Sequence, residues 1–253
     1  MSVAALMRLG AATLIMAVPT IAAAADLQVI SAGAVRGVVG GIIDIYARES
    51  GHTFKFTIGS TGLLRDTIAK GAPADLIIAS APLMAELEAS GKMLTGSRVD
   101  IGRIGLGVVV KAGAPEPDIA TPEAVKRALL AAKSIAYTAP QLGGTAYVHM
   151  MKFAKEMGIA DAITAKGVHA TGGNDAAAKV AEGKADLSIT LISEIHHKDA
   201  KLVGPLPEAL QLWTVYAAAI PAASTQPANA RAFIAALTGP AMRERWRAAG
   251  WRP

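Results

Sequence analysis

The stretch GSTGLLRDTIAKGAPADLIIAS, Gly59 to Ser80, decides the fold. It opens on a small polar turn, Gly59-Ser60-Thr61-Gly62, and continues into a helical segment over 63–70. Gly71, Pro73 and the small residues around them break that helix. The next five residues, 75–79, read as a strand buried on both faces. A buried strand following a helix is half of an α/β unit, and such strands belong to largely parallel sheets covered by helices.

The same alternation extends in both directions. Leu27 to Ser31 is a short apolar strand, and Val35, Val38, Val39, Ile42, Ile43 and Tyr46 give residues 34–50 an amphipathic helical stripe. Phe54, Phe56 and Ile58 alternate as in a strand, and 82–92 is helical. Beyond these, 104–110 reads as one strand, and Thr121-Pro122-Glu123 is a helix start with Thr as cap and Pro in the first turn. Strands are expected at 134–137, 167–170, 187–191, 202–203 and 213–220. Helices are expected at 145–157, 175–182, 227–237 and 240–249. About ten strands form two α/β lobes more readily than one wide sheet.

The first 25 residues carry one charge, Arg8, then an apolar run and four alanines, with an A-x-A pattern before Asp26. Residues 1–25 are expected to be a cleaved signal peptide directing the chain to the periplasm. The uncharged stretch of 17 residues contains Pro19 and lies at the bottom of the membrane-spanning range, and no later segment suggests stable membrane insertion. Without residues 1–25 the chain holds 24 Lys and Arg against 20 Asp and Glu. This mild, dispersed excess with few aromatics points away from nucleic acid. The absence of cysteine excludes a thiol nucleophile, a Cys metal site and a disulfide framework.

Four Gly-rich polar turns precede helices: Ser31-Ala32-Gly33-Ala34, Gly59-Ser60-Thr61-Gly62, Gly143-Gly144-Thr145 and Gly172-Gly173-Asn174. Each exposes backbone N–H groups at the positive end of a helix, which suits an anion. Glycines and hydroxyls also occur at such turns for geometry alone. Two turns in each half of the chain nevertheless make a shared anion cleft a working expectation.

Asp26 to Ala32, the stretch from Gly59 to Ser80, TPEAVKRALLAAKSIAYTAP over 121–140 and TGPAMRERWRAAGW over 238–251 resemble the molybdate-binding periplasmic proteins of ABC importers. The resemblance covers essentially all of the chain after residue 25. It implies the two-lobed type II periplasmic-binding-protein fold, each lobe a mainly parallel sheet with helices on both faces. It also implies an oxyanion held by neutral donors from several loops. Carried over, Ser60 matches the serine of the second loop, with Thr61 beside it. Gly144 and Thr145 fall at a loop supplying a backbone N–H, and Gly173 and Asn174 at the loop before a later helix. Two positions depart from the pattern. Ala34 stands where the first loop ends in serine, and Leu191, beside Thr190, where a tyrosine hydroxyl is expected. Each unmet bond to a charged group is worth about 1.5–3 kcal/mol.

Arg36 and Arg65 offer a different chemistry, since a guanidinium facing the cleft would clamp a carboxylate in two places. Candidate ligand-binding residues are therefore Ser31, Gly33, Ala34, Arg36, Ser60, Thr61, Gly144, Thr145, Gly173, Asn174 and Leu191. The ligand is molybdate or tungstate, or alternatively a small organic carboxylate bound by a receptor without its own transporter. The third reading, an exported enzyme on the same scaffold, lacks a recognisable base–nucleophile pair, so no catalytic residues and no cofactor are expected. The histidines, including the pair His196-His197, match no zinc spacing and are expected at the surface. Neither a P-loop nor a G-x-G-x-x-G fingerprint occurs. Residues 26–100 and 213–253 are assigned to one lobe and 101–212 to the other, with a monomer delivering its ligand to an ABC permease. The strands near 104–110 and 213–220 carry the hinge, and closure follows binding.

Overall fold

A computed structural model describes residues 25–252; the leader expected over residues 1–25 lies outside them but for Ala25. Ten strands form two five-stranded sheets. The first contains β1 (Asp26–Ala32), β2 (Thr53–Gly59), β3 (Leu76–Ser80), β4 (Val99–Ile104) and β10 (Thr214–Ala219), in the order β2-β1-β3-β10-β4. The second contains β5 (Leu106–Lys111), β6 (Ile135–Thr138), β7 (Gly167–Ala170), β8 (Leu187–Leu191) and β9 (Ala200–Pro205), in the order β7-β6-β8-β5-β9. The sheets share one plan. Three parallel strands pair in each, and a single antiparallel strand, β10 or β5, lies between them and the edge strand. The sheets are thus mixed, and those two antiparallel strands are the ones that follow a passage from the other lobe.

Local chemistry explains the helices. Helix α1 (Arg36–Ser50) ends at Gly51, whose φ of 72° places it in the left-handed region that side chains disfavour. Helix α2 (Thr61–Ala69) is capped by Ser60, whose hydroxyl accepts from the Leu63 N–H. Helix α3 (Ala81–Ala89) follows β3 directly. Thr121 caps α4 (Pro122–Ala131) through the Ala124 N–H, with proline in the first turn. Helices α5 (Thr145–Glu156), α6 (Ala160–Ala165), α7 (Gly173–Ala181), α8 (Pro227–Thr238) and α9 (Pro240–Ala248) complete the cover. The central strands β3 and β8 are buried at every residue, as a sheet covered on both faces requires.

Two elements differ from the sequence reading. The strand expected over 104–110 is two strands separated by Gly105, and β4 is an edge strand with Val99 and Asp100 exposed, so its apolar pattern is weak. The chain crosses between sheets at Gly105 and returns through 206–213. Gln211 staples the two crossings: its Oε1 accepts from the Leu106 N–H at 2.7 Å, and its Nε2 donates to the Leu106 and Leu206 carbonyls. Helix α6 was also missed, being a six-residue segment too short for a helical period.

The C-terminal helices pack on the first sheet. Trp246 is 1% exposed and donates its indole N–H to the Leu237 carbonyl at 2.9 Å. Trp251 packs edge-on against both Trp246 and Tyr216, at centroid separations of 5.0 and 5.4 Å. These edge-on contacts join the C-terminal core to Tyr216, which lines the cleft.

Candidate functional site

A cavity of about 210 Å³ lies between the sheets. The starts of α1, α2, α5 and α7 all border it, two from each lobe. Each helix follows a strand of its own sheet, after one or two residues for α2 and α7 and through a 3-10 turn, 33–35 or 140–142, for α1 and α5, and each runs for nine or more residues. The free N–H groups of four helix starts therefore converge on one space and give it a positive potential with few charged side chains.

Gly33, Ala34, Arg36, Ser60, Thr61, Gly144, Thr145, Gly173, Asn174 and Leu191 line this cavity. Ser31 does not. It is buried within β1 and donates its hydroxyl to the Ala32 carbonyl, because the strand continues to Ala32 before the chain turns into the cleft. Arg65 also lies elsewhere, in an exposed bidentate pair with Glu86. Arg36 is the arginine at the cleft, at the first residue of α1. His52 departs from the surface reading: it is buried and its Nδ1 accepts from the Ala25 N–H. Among the described residues no three His, Cys, Asp or Glu side chains converge as a metal site.

The lobes touch across the cavity mouth. The Ser60 hydroxyl donates to the Leu142 carbonyl at 2.7 Å, and the Thr61 and Thr145 hydroxyls lie 3.2 Å apart. Tyr216 on β10 and Thr145 at the start of α5 face the same cavity from opposite lobes. The structure is a closed form.

Five polar side chains at the cavity were not found from sequence: Thr138, Thr171, Asp175, Glu194 and Tyr216. Asp175 is committed locally. Burial pushes its carboxyl up, but the Thr171 N–H and hydroxyl and the Lys179 ammonium outweigh this and hold it below the ordinary carboxylate value. Glu194 differs. It sits in a single turn of 3-10 helix after β8 and is 7% exposed. Burial drives its carboxyl up to about 7, although the Thr190 hydroxyl at 2.7 Å and a backbone hydrogen bond from Leu191 favour the charged form. The Tyr216 phenol is pushed upward by burial and by the Glu194 charge, against the Thr145 hydrogen bond.

The backbone is shaped around the Glu194 carboxyl. A Cβ at Gly173 would fall 1.9 Å from Glu194 Oε2 and 2.1 Å from Thr190 Oγ1, and one at Gly33 would stand 3.3 Å from Glu194 Oε1. Gly173→Ala is expected to expel the carboxyl from its seat and to cost about 1–3 kcal/mol of stability, measured by urea unfolding. An alanine variant with unchanged stability would show that the seat is not fixed.

Residues 27–252 match the family of bacterial extracellular solute-binding proteins. The chain belongs to that family. It is 30% identical over 233 residues to an aconitate isomerase from a Pseudomonas species, spanning 88% of this chain and 87% of that protein. The periplasmic molybdate-binding protein of Azotobacter vinelandii superposes with a TM-score of 0.74 at 25% identity, covering 90% of this chain and 99% of that one. The sulfate-binding protein SubI of Mycobacterium tuberculosis superposes with a TM-score of 0.71 at 19% identity, over 90% and 87% of the two chains. The suspected kinship with molybdate binders and the two-lobed α/β fold both stand on these matches. Among the described residues no helix is long and apolar enough to cross a membrane.

Proposed function

We propose that this periplasmic protein closes its two lobes on a small organic polycarboxylate. The observation that carries this reading is the side-chain chemistry of the cleft. Arg36 stands at the start of α1, Ala34 and Leu191 supply no hydroxyl, and Glu194 places a carboxyl against the cavity. A tetrahedral oxyanion without protons can only accept hydrogen bonds and needs donors on all sides, and the side chains of Ala34 and Leu191 offer none. A planar carboxylate fits a guanidinium fork, and helix starts on the opposite lobe hold its further carboxylates. The likeness to an aconitate isomerase agrees with a ligand bearing several carboxylates.

A second reading, capture of molybdate or a related oxyanion for an ABC permease, is favoured by Ser60, Gly144 and Gly173 and by the likeness to the Azotobacter protein. Thermal unfolding separates the two. With trans-aconitate at a hundred times its dissociation constant, a stabilisation of about 2.7 kcal/mol is expected. Molybdate, tungstate and sulfate are expected to give no shift, and Arg36→Ala is expected to lose the aconitate effect. Stabilisation by molybdate alone would overturn the carboxylate reading.

A further inference from the structure

We propose that Glu194 is a catalytic acid–base residue which moves a proton between two carbons of an unsaturated polycarboxylate held in the cleft. The inference rests on the carboxylate reading above and adds chemistry to it. A receptor for an anion gains nothing from a second negative group in its cleft, since the two repel. Yet the fold makes room for this carboxyl at two places, with glycine at 33 in one lobe and at 173 in the other. Asp175, the other acid at the cavity, is occupied by Thr171 and Lys179. Glu194 Oε2 takes a single side-chain hydrogen bond, from Thr190, while Oε1 lies toward Gly33 of the opposite lobe. Burial also brings the group's titration close to neutral pH, where an acid–base residue works in both directions.

The reaction balances without a further reactant. In a ligand with a methylene next to a carbon–carbon double bond, both flanked by carboxylates, the Glu194 carboxylate removes one methylene proton. The C–H electron pair delocalises through the double bond onto the distal carboxylate. The double bond moves by one carbon, and the proton on Glu194 is delivered to the former vinylic carbon. Glu194 returns to the carboxylate, and the product is an isomer of the substrate. The extra negative charge on the distal carboxylate develops among Arg36 and the four helix starts, which are already oriented.

The test uses trans-aconitate in deuterated buffer, with proton NMR following both conversion to the cis isomer and deuterium entry at carbon. Calorimetry measures binding in parallel. The wild-type protein is expected to convert or label the probe, and Glu194→Gln to slow both at least about 100-fold while binding within a fewfold of wild type. Glu194→Asp is expected to recover part of the rate. Binding by the wild type without conversion or labelling would overturn the acid–base role and leave the carboxylate reading standing. Unchanged turnover in the Gln variant would also overturn it. Parallel loss of binding and turnover in that variant would make Glu194 an anchor instead. Failure of the wild type to bind the probe would remove both proposals together.

Discussion

Gly62→Val is expected to hold the cleft open and to weaken ligand binding by about 10–100-fold without unfolding the protein. Gly62 lies in the first turn of α2, where that turn meets the opposite lobe. A Cβ there would fall 2.4 Å from the Leu142 carbonyl oxygen and 2.9 Å from its carbon. These are backbone atoms of the 140–142 turn, and no rotamer change relieves the clash. The affected contacts belong to closure, since Ser60 to Leu142 and Thr61 to Thr145 form only when the lobes meet. Each such hydrogen bond contributes about 0.5–1.5 kcal/mol, so losing both costs about 1–3 kcal/mol, which brackets the stated weakening. Separation of the lobes relieves the clash, so the melting temperature of the free protein should move little. Small-angle scattering should show a larger radius with ligand present than in wild type, and calorimetry should show the weaker affinity. A Val variant that scatters as a closed form and binds normally would mean the 140–142 turn yields, and that Gly62 does not control closure.

The sequence was informative wherever a pattern had a period or a punctuation mark. The run of 59–80 fixed a turn, a helix and a buried strand, and α2 and β3 lie there. The four glycine-rich turns converge on one cavity because every strand-to-helix turn sits at the carboxyl end of its strand. Strand β4 was hidden because an edge strand does not need an apolar run, and the Gly105 crossing gives no composition signal. Glu194 was hidden for a different reason. In SITLISEIHH over 188–197 it is the one acidic residue in an apolar run, a pattern that equally suits a solvated turn. What distinguishes it is the space left by Gly33 and Gly173, which lie 161 and 21 residues away and which only the folded chain brings alongside. Tyr216 belongs to an apolar strand by its sequence, and its place at the cavity depends on the return of the chain to the first sheet, where β10 lies between β3 and β4.

Those two residues change the meaning of the substitutions at 34 and 191. Where the molybdate-binding pattern has hydroxyls, Ala34 and Leu191 present apolar carbon to the cavity, while hydroxyl and carboxyl groups enter from Tyr216 and Glu194. On the carboxylate reading proposed above, the helix starts that would attract an anion are kept and the side chains that would select among anions are exchanged. A shared fold with binding proteins for molybdate and sulfate therefore leaves selectivity to be decided by a handful of side chains.

Folding stability should fall as pH rises from about 4.5 to about 7, by about 3 kcal/mol, and this fall should vanish in Glu194→Gln. An unfolded glutamate ionises at its ordinary value near 4.5, whereas burial holds the folded carboxyl protonated up to about 7. Between these values the folded form keeps a proton that the unfolded form releases, so raising pH favours unfolding. The contribution is complete below 4.5 and lost once pH has passed through 7. Other titrating groups act differently. His196 is held below its ordinary value by burial, by His197 and by Arg36, so its protonation opposes folding and its contribution is lost as pH falls. Asp175 is held low and acts at more acid pH, and Tyr216 stays neutral throughout. The difference between wild type and Gln variant removes these shared contributions and isolates Glu194. Urea unfolding of both proteins at intervals from pH 4 to 8.5 measures it. A bound polycarboxylate favours the neutral form of Glu194 through charge repulsion, so binding above pH 7 should take up a proton in wild type and none in the variant. Calorimetry in buffers of different ionisation enthalpy detects that proton. Parallel pH profiles in the two proteins would mean that Glu194 titrates as an exposed acid, and that the cleft opens to water around it far more than its closed geometry allows.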